Sequence, residues 1–359
     1  MNFALYIALF PQLIAGPIVR YEDIEPQLAQ RKVSARKLGQ GAMLFLIGLA
    51  KKAVLADTFK TVFEEISAIS ASNLSVPMAW IGCITYAFEI YYDFSGYSDM
   101  AIGLSRMFGF ELKKNFDHPY VSRSVTEFWR RWHISLGAFF REYVFYPVST
   151  SKLFLKLNVK IRDHLGNVIG KVFAASIPIL CVWVLTGLWH GAKWNYIAWG
   201  LYHGVLICMS TLFEEPLAKL TKALRIKTDC ISWEIFRMLR TFILCVIGRL
   251  IFMGQGIRSS IWMIRSMVFD HSRVYNIVDE FSLSGREWRV LIFGCLLLLA
   301  VSIAQEIMER RGSTGDVREW LAKQNIVFKW LVMAAGLAFI AICGVYGSGA
   351  GASFIYEQF

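Results

Sequence analysis

Two histidines stand where an ionisable side chain is costly. His190 closes the sequence LTGLWHG, between an uncharged stretch at 172–189 and a second apolar stretch at 194–213. His133 lies in EFWRRWHISLGAFFREYVFYP, among interleaved aromatic and basic residues. A neutral imidazole accepts a proton near neutral pH, and burial favours that uncharged form. Either ring could therefore act as general base toward a hydroxyl attacking an activated carbonyl such as a thioester. An ionisable residue inside a membrane is a functional hypothesis by default. The competing account of His190 is an interfacial residue in an aromatic belt with Trp189 and Trp194. For His133 the competing account is packing and interfacial hydrogen bonding. Local sequence leaves these accounts open.

Other charged groups offer different chemistry. Arg130, Arg131 and Arg141 could hold phosphates, either of a nucleotide-type cofactor or of lipid headgroups. Glu89, Asp93 and Asp99 lie in and between apolar runs and could form a proton or ion path. They could equally bond neighbouring helices through Tyr and Ser. Glu89 and Asp93 are four apart and share a face if their helix is continuous. His118 precedes a proline in a turn-like stretch, His203 falls in an apolar run and reads as packing, and His164 and His271 sit in polar loops. There is no GxSxG elbow, HExxH pair or Gly-rich phosphate loop to support a covalent serine enzyme or a zinc enzyme. The seven cysteines form no CxxC pair and read as small buried hydrophobes, with no disulfide framework and no metal site.

The elements that must position these groups are membrane helices. The chain of 359 residues is 56% hydrophobic and only 18% charged, which marks a polytopic membrane protein. Its formal charge of +11 resides mostly in loops at 31–37, 152–171 and 219–240. That placement suits anionic lipid on the cytoplasmic side and argues against nucleic acid. Apolar runs at 3–19, 39–56, 77–92, 94–110, 172–189, 194–213, 241–254, 288–304 and 327–346 predict about eight spans, the first of them broken by proline. Lys51 and Lys52, near the end of one run, are expected to snorkel. Arg249 interrupts another. The stretch 111–150 is too charged to span freely and is expected to be interfacial or re-entrant, with Ser124 and Glu127 spaced as a capping box. Residues 20–37, 57–75 and 257–287 read as polar or interfacial, and 151–171 and 214–240 as basic connections. One all-α, membrane-embedded domain over 1–359 is the expectation.

At the histidines the sequence resembles the membrane-bound O-acyltransferase superfamily, in its alginate O-acetyltransferase branch, related to the lipoteichoic-acid D-alanyl transferases. The resemblance is carried by FPQLIAGPIVRYEDI, YYDFSGYSDMAIGLSRMFGF, EFWRRWHISLGAFFREYVFYP and LTGLWHGAKWNYIAWGLYHG, with the closing FIYEQF. It implies a ring of tilted helices around a central tunnel, with a cytoplasmic acyl donor entering on one side and an acceptor hydroxyl on the other. His190 matches the principal catalytic histidine and His133 the second polar residue of the site. The resemblance further implies acetyl-CoA or another acyl thioester as co-substrate and no permanently bound cofactor. The acceptor would be an exported polysaccharide or a carrier protein, an extracytoplasmic partner would complete transfer, and the enzyme would sit in the bacterial plasma membrane. Arg130 and Arg131 remain weak candidates for donor binding. Thiolate is a good leaving group, so the chemistry requires no metal, and without a paired nucleophile direct transfer is expected. Relatives of this kind carry further apolar segments ahead of FPQLIAGPIVRY, so the family's N-terminal helices are expected to be missing. Two other functions compete: a proton-coupled transporter or flippase using Glu89, Asp93 and Asp99, and a non-catalytic remnant.

Overall fold

The computed structural model describes residues 2–13, 16–69, 75–254, 256–269, 284–312, 320 and 323–344. Described residues are helical or irregular, with no strand among them. The chain opens with α1 (Asn2–Ile7), α2 (Tyr21–Gln30), α3 (Ala35–Ala50), α4 (Asp57–Ala68) and α5 (Val76–Met107). Short helices follow: α6 (Val125–Arg131), α7 (Ile134–Phe140), α8 (Tyr146–Thr150) and α9 (Lys152–Leu165). Then come α10 (Asn167–Trp189), α11 (Trp194–Leu212), α12 (Glu214–Ala223), α13 (Ile231–Met253) and α14 (Ile257–Phe269). The last two are α15 (Gly285–Arg310) and α16 (Ile326–Cys343). They divide between two compact units, one of residues 1–116 with 271–359 and the other of 117–270.

Within the first unit, α3 and α5 cross at glycines. A Cβ on Gly41 would stand 2.5 Å from the Gly103 carbonyl oxygen, and one on Gly48 2.5 Å from that of Gly96. Small residues let the backbones approach, as helix pairs in membranes require. The expected break between 77–92 and 94–110 does not occur: α5 runs unbroken for 32 residues through Asp93. The reason is charge compensation. Lys52 Nζ lies 2.7 Å from Asp93 and 2.8 Å from Asp57, and Lys51 Nζ 2.7 Å from Asp99. The lysines therefore do not snorkel. A π-helical turn over Lys51–Ala56 joins α3 to α4 without a break and turns Lys52 into the core. Such turns shift the helix register and commonly mark places where a side chain must be re-aimed. Glu89 and Asp93 share the buried face, as their spacing predicted. Val54, Leu55, Phe59, Tyr92 and Leu291 pack the adjoining apolar core.

In the second unit, α10 and α11 form a close antiparallel hairpin. A Cβ on Gly187 would stand 2.5 Å from the Tyr196 carbonyl oxygen, and one on Gly200 would strike that of Trp183. Helix α13 packs on α11, where the Tyr202 hydroxyl donates to the Leu244 carbonyl at 2.9 Å. The Asn195 amide donates to the carbonyls of Phe252 and Gly254 at 2.8 and 3.0 Å. Those carbonyls end α13 and have no partner inside their own helix. Residues 111–150 fold as short broken helices, in keeping with a segment that does not cross freely. The capping box there is half made: Ser124 accepts from the Glu127 amide at 3.1 Å, whereas the Glu127 carboxylate accepts from the amide of Arg123. The basic stretch after 151 is largely helix α9, anchored by Phe154 stacked 5.4 Å from Phe173.

Among the described residues, three helical stretches are long and apolar enough to cross a membrane: Ile169–Trp189, Gly285–Arg310 and Ile326–Cys343. The pair α11 and α12, bent by 57°, adds a fourth if it is one broken span. This is fewer than the eight expected. The run at 3–19 yields only α1 and a 3-10 turn at Phe10–Gln12 among described residues. Helices α3, α5 and α13 carry charged residues that pair or bury inside the protein. The closing FIYEQF lies outside the described residues, and of FPQLIAGPIVRYEDI two residues do.

Candidate active site

Both histidines belong to the second unit and both are buried, His133 5% and His190 8% exposed. His190 caps the C-terminus of α10, its amide donating to the Gly187 carbonyl at 3.2 Å. Gly191 follows at φ 137°, a conformation open to glycine and strained for other residues, and turns the chain toward α11. The apolar hairpin thus delivers His190 into the gap between its two helices, as the sequence suggested. Its ring meets Trp199 at 5.2 Å and Phe252 at 5.1 Å, both edge to face. The glycine contacts that close the hairpin and the Asn195 anchor on α13 are what hold these two walls against it.

His133 sits at the turn between α6 and α7 with φ 46°, in the left-handed region. For a residue with a Cβ that conformation costs about 1–3 kcal/mol and persists only where packing imposes it. Here Trp132, 3% exposed, is locked by stacking on Phe128 at 5.6 Å. The Gly137 amide donates to the His133 carbonyl at 3.1 Å. Ser135 Oγ stands 3.5 Å from His133 Nδ1. The Trp189 ring joins the two histidines, 6.1 Å from His133 and 4.8 Å from His190 between ring centres. Two imidazoles from separate elements therefore share one aromatic wall. The arrangement can take a proton at one ring while the other orients or relays.

The arginine candidates are placed differently. Arg130 and Arg141 are exposed. Arg131 is ion-paired to Glu127 at 2.9 Å, which gives it a local structural partner. His203 is fully enclosed and accepts the Trp129 indole N–H on Nδ1 at 3.2 Å. Gly248 of α13 backs against it, since a Cβ there would stand 2.5 Å from its Nε2. It is a packing histidine, as its place in an apolar run suggested. His118 lies in a turn with φ 47°.

In sequence Arg249 reads only as the interruption of a span, and the fold brings it beside the histidines' aromatic surroundings. Arg249 of α13 is 5% exposed, and its guanidinium lies over the Trp132 ring at 4.1 Å. It sits one turn before Phe252, the residue that packs on His190. The local signal is a lone arginine in an otherwise uncharged run from Thr241 to Met253, which is costly in a membrane and is a functional hypothesis by default.

Comparison with known proteins bears on the family. Residues 1–161 match the model of MBOAT, the membrane-bound O-acyltransferase family. The chain is 34% identical over 315 residues to a probable alginate O-acetylase, AlgI, of Pseudomonas syringae pv. tomato, covering 88% of this chain and 55% of that protein. It is 32% identical over 271 residues to the peptidoglycan O-acetyltransferase of Helicobacter pylori, covering 75% of this chain and 46% of the relative. With the teichoic acid D-alanyltransferase of Bacillus subtilis it shares 29% identity over 217 residues, 58% of this chain and 51% of the other. The chain spans about half the length of the curated relatives it matches. Motifs, helical membrane architecture and these similarities agree that the chain belongs to the membrane-bound O-acyltransferase family.

Proposed function

We propose that this protein moves an acetyl or similar short acyl group from a cytoplasmic thioester, acetyl-CoA or another, to a hydroxyl on an exported cell-surface polysaccharide or a partner carrier protein. The observation that carries the reading is the pair of buried histidines on one aromatic wall, each inside a motif that resembles the family's. The relatives' names support the acceptor class: alginate, peptidoglycan and teichoic acid all present hydroxyls outside the cytoplasm. A bacterial plasma membrane location and an extracytoplasmic partner follow from an exported acceptor.

In this reading His190 accepts the proton of the acceptor hydroxyl as its oxygen bonds to the acyl carbon. The carbon–sulfur bond then breaks, and the departing sulfur carries away the electron pair and, finally, the proton. His133 orients the donor or assists proton movement across Trp189. Excluding water matters, because an acyl thioester facing a general base hydrolyses. Trp199 and Phe252, both buried, supply that dry wall. The transporter alternative draws less support, since Asp93 and Asp99 are each engaged by a lysine.

The test uses the chain in nanodiscs with acetyl-labelled acetyl-CoA and alginate or peptidoglycan oligosaccharide. Thioester loss matched by label on the glycan is expected. Labelled proton movement or lipid translocation without acyl transfer would point to the transporter class instead.

A further inference from the structure

Arg249 is a buried cation with spare hydrogen-bonding capacity. Its Nη2 is buried and has no hydrogen-bond partner, and no ion pair to it occurs among the described residues. One face of the guanidinium is covered by Trp132 at 4.1 Å, and the Tyr120 hydroxyl lies in hydrogen-bonding range. Stacking does not repay the desolvation of a full charge, and a buried arginine is ordinarily paired with a carboxylate or phosphate. The Trp199 indole N–H, on the ring that packs at 5.2 Å from His190, is likewise buried without an acceptor. Two donors thus flank the histidine wall with nothing to donate to. Arg249 also lies within electrostatic range of His190.

We propose that Arg249 holds an anion at this site, and that the anion is the oxygen that becomes negatively charged on the acyl carbon during transfer. This rests on the acyltransferase reading. When the hydroxyl oxygen bonds to the carbonyl carbon, the π electrons move to the carbonyl oxygen and His190 takes the proton. Arg249 Nη2 then donates to that oxygen. Collapse restores the carbonyl and expels the thiolate, which the proton from His190 neutralises. A donor that finds its acceptor only in the transition state accelerates the step without tightening substrate binding.

The test pairs activity with stability and with binding of two probes. Arg249→Met keeps the shape of the stem and removes an unpaired buried charge. Its melting temperature should be no lower than wild type, while kcat falls about 10²–10³-fold with little change in KM. Arg249→Lys should retain part of the activity. The binding probes are S-(2-acetamidoethyl) methylphosphonothioate, a tetrahedral anion, and S-acetyl-N-acetylcysteamine, its neutral planar counterpart. The anion's affinity should fall at least tenfold in Arg249→Met while the neutral thioester's is unchanged. A lower melting temperature with proportionate loss of activity, or failure of Arg249→Met to fold, would overturn the proposal in favour of a structural arginine. A raised KM for acetyl-CoA with kcat intact would overturn it in favour of a phosphate-holding group. Wild type that binds the phosphonothioate through Arg249 but transfers no acyl group would overturn the transferase reading itself.

Discussion

Replacing Lys52 by methionine should destabilise the protein severely, and the structure says by how much. Lys52 Nζ is 2.7 Å from Asp93 and 2.8 Å from Asp57, and the three side chains are 9%, 4% and 6% exposed. The substitution keeps the stem but strands two carboxylates away from water and beside each other. Removing one partner of a buried ion pair costs about 3–5 kcal/mol, and two stranded charges place this variant at the upper end. Against a total stability of about 5–15 kcal/mol that is a third or more. Stepwise neutralisation should reverse the loss: Lys52→Met with Asp93→Asn recovers part of it, and adding Asp57→Asn most of the rest. Unfolding in detergent with graded SDS, followed by tryptophan fluorescence, measures the series. A single Lys52→Met variant within about 1 kcal/mol of wild type would refute the ion triad as the reason α5 runs unbroken through Asp93. The same variants separate the transporter reading, which requires Asp93→Asn to abolish proton movement in proteoliposomes while leaving the fold intact.

Other outcomes follow from single contacts. Gly200→Ala should cost about 1–3 kcal/mol, because its Cβ meets the Trp183 carbonyl, whereas Gly39→Ala in α3, with nothing within 4 Å, should be neutral or stabilising by up to about 1 kcal/mol. Thermal unfolding of the two variants distinguishes them, and equal effects would contradict the close helix crossing. Cys230, at the N-terminus of α13, has its thiol lowered below the usual range by the Ser232 hydroxyl and then by the Trp233 amide. A lowered value means more thiolate at a given pH, so its alkylation by iodoacetamide should rise at lower pH than for a free cysteine. Ser232→Ala should move that profile upward, and an unmoved profile would contradict the assignment.

What could be read from the sequence divides along a physical line. Local signals were reliable. Trp189-His190-Gly191 between two uncharged runs placed His190 at a helix end, and Gly187 and Gly200 closed the hairpin around it. Long-range compensation was not legible. Asp93 reads as a break in an apolar run until Lys52, contributed by a distant helix, neutralises it. Lys51 and Lys52 read as snorkelling because nothing local announces a π-helical turn. The stretch after 151 reads as a basic loop, although its amphipathic pattern around Phe154 forms α9. Arg249 shows the reverse: its signal was local and plain, but its meaning depended on Trp132, which only the fold brings beneath it.

The central claim is that His190 takes the acceptor's proton, and chemical rescue tests it most directly. Acyl transfer would be measured for wild type, His190→Ala and His133→Ala in nanodiscs, with melting temperatures taken on the same samples. The account predicts that His190→Ala folds as wild type and loses about 10²–10⁴-fold in kcat, the range for a general base, and that added imidazole restores part of it. Transfer that survives in His190→Ala, or a loss that follows unfolding and ignores imidazole, would contradict the account.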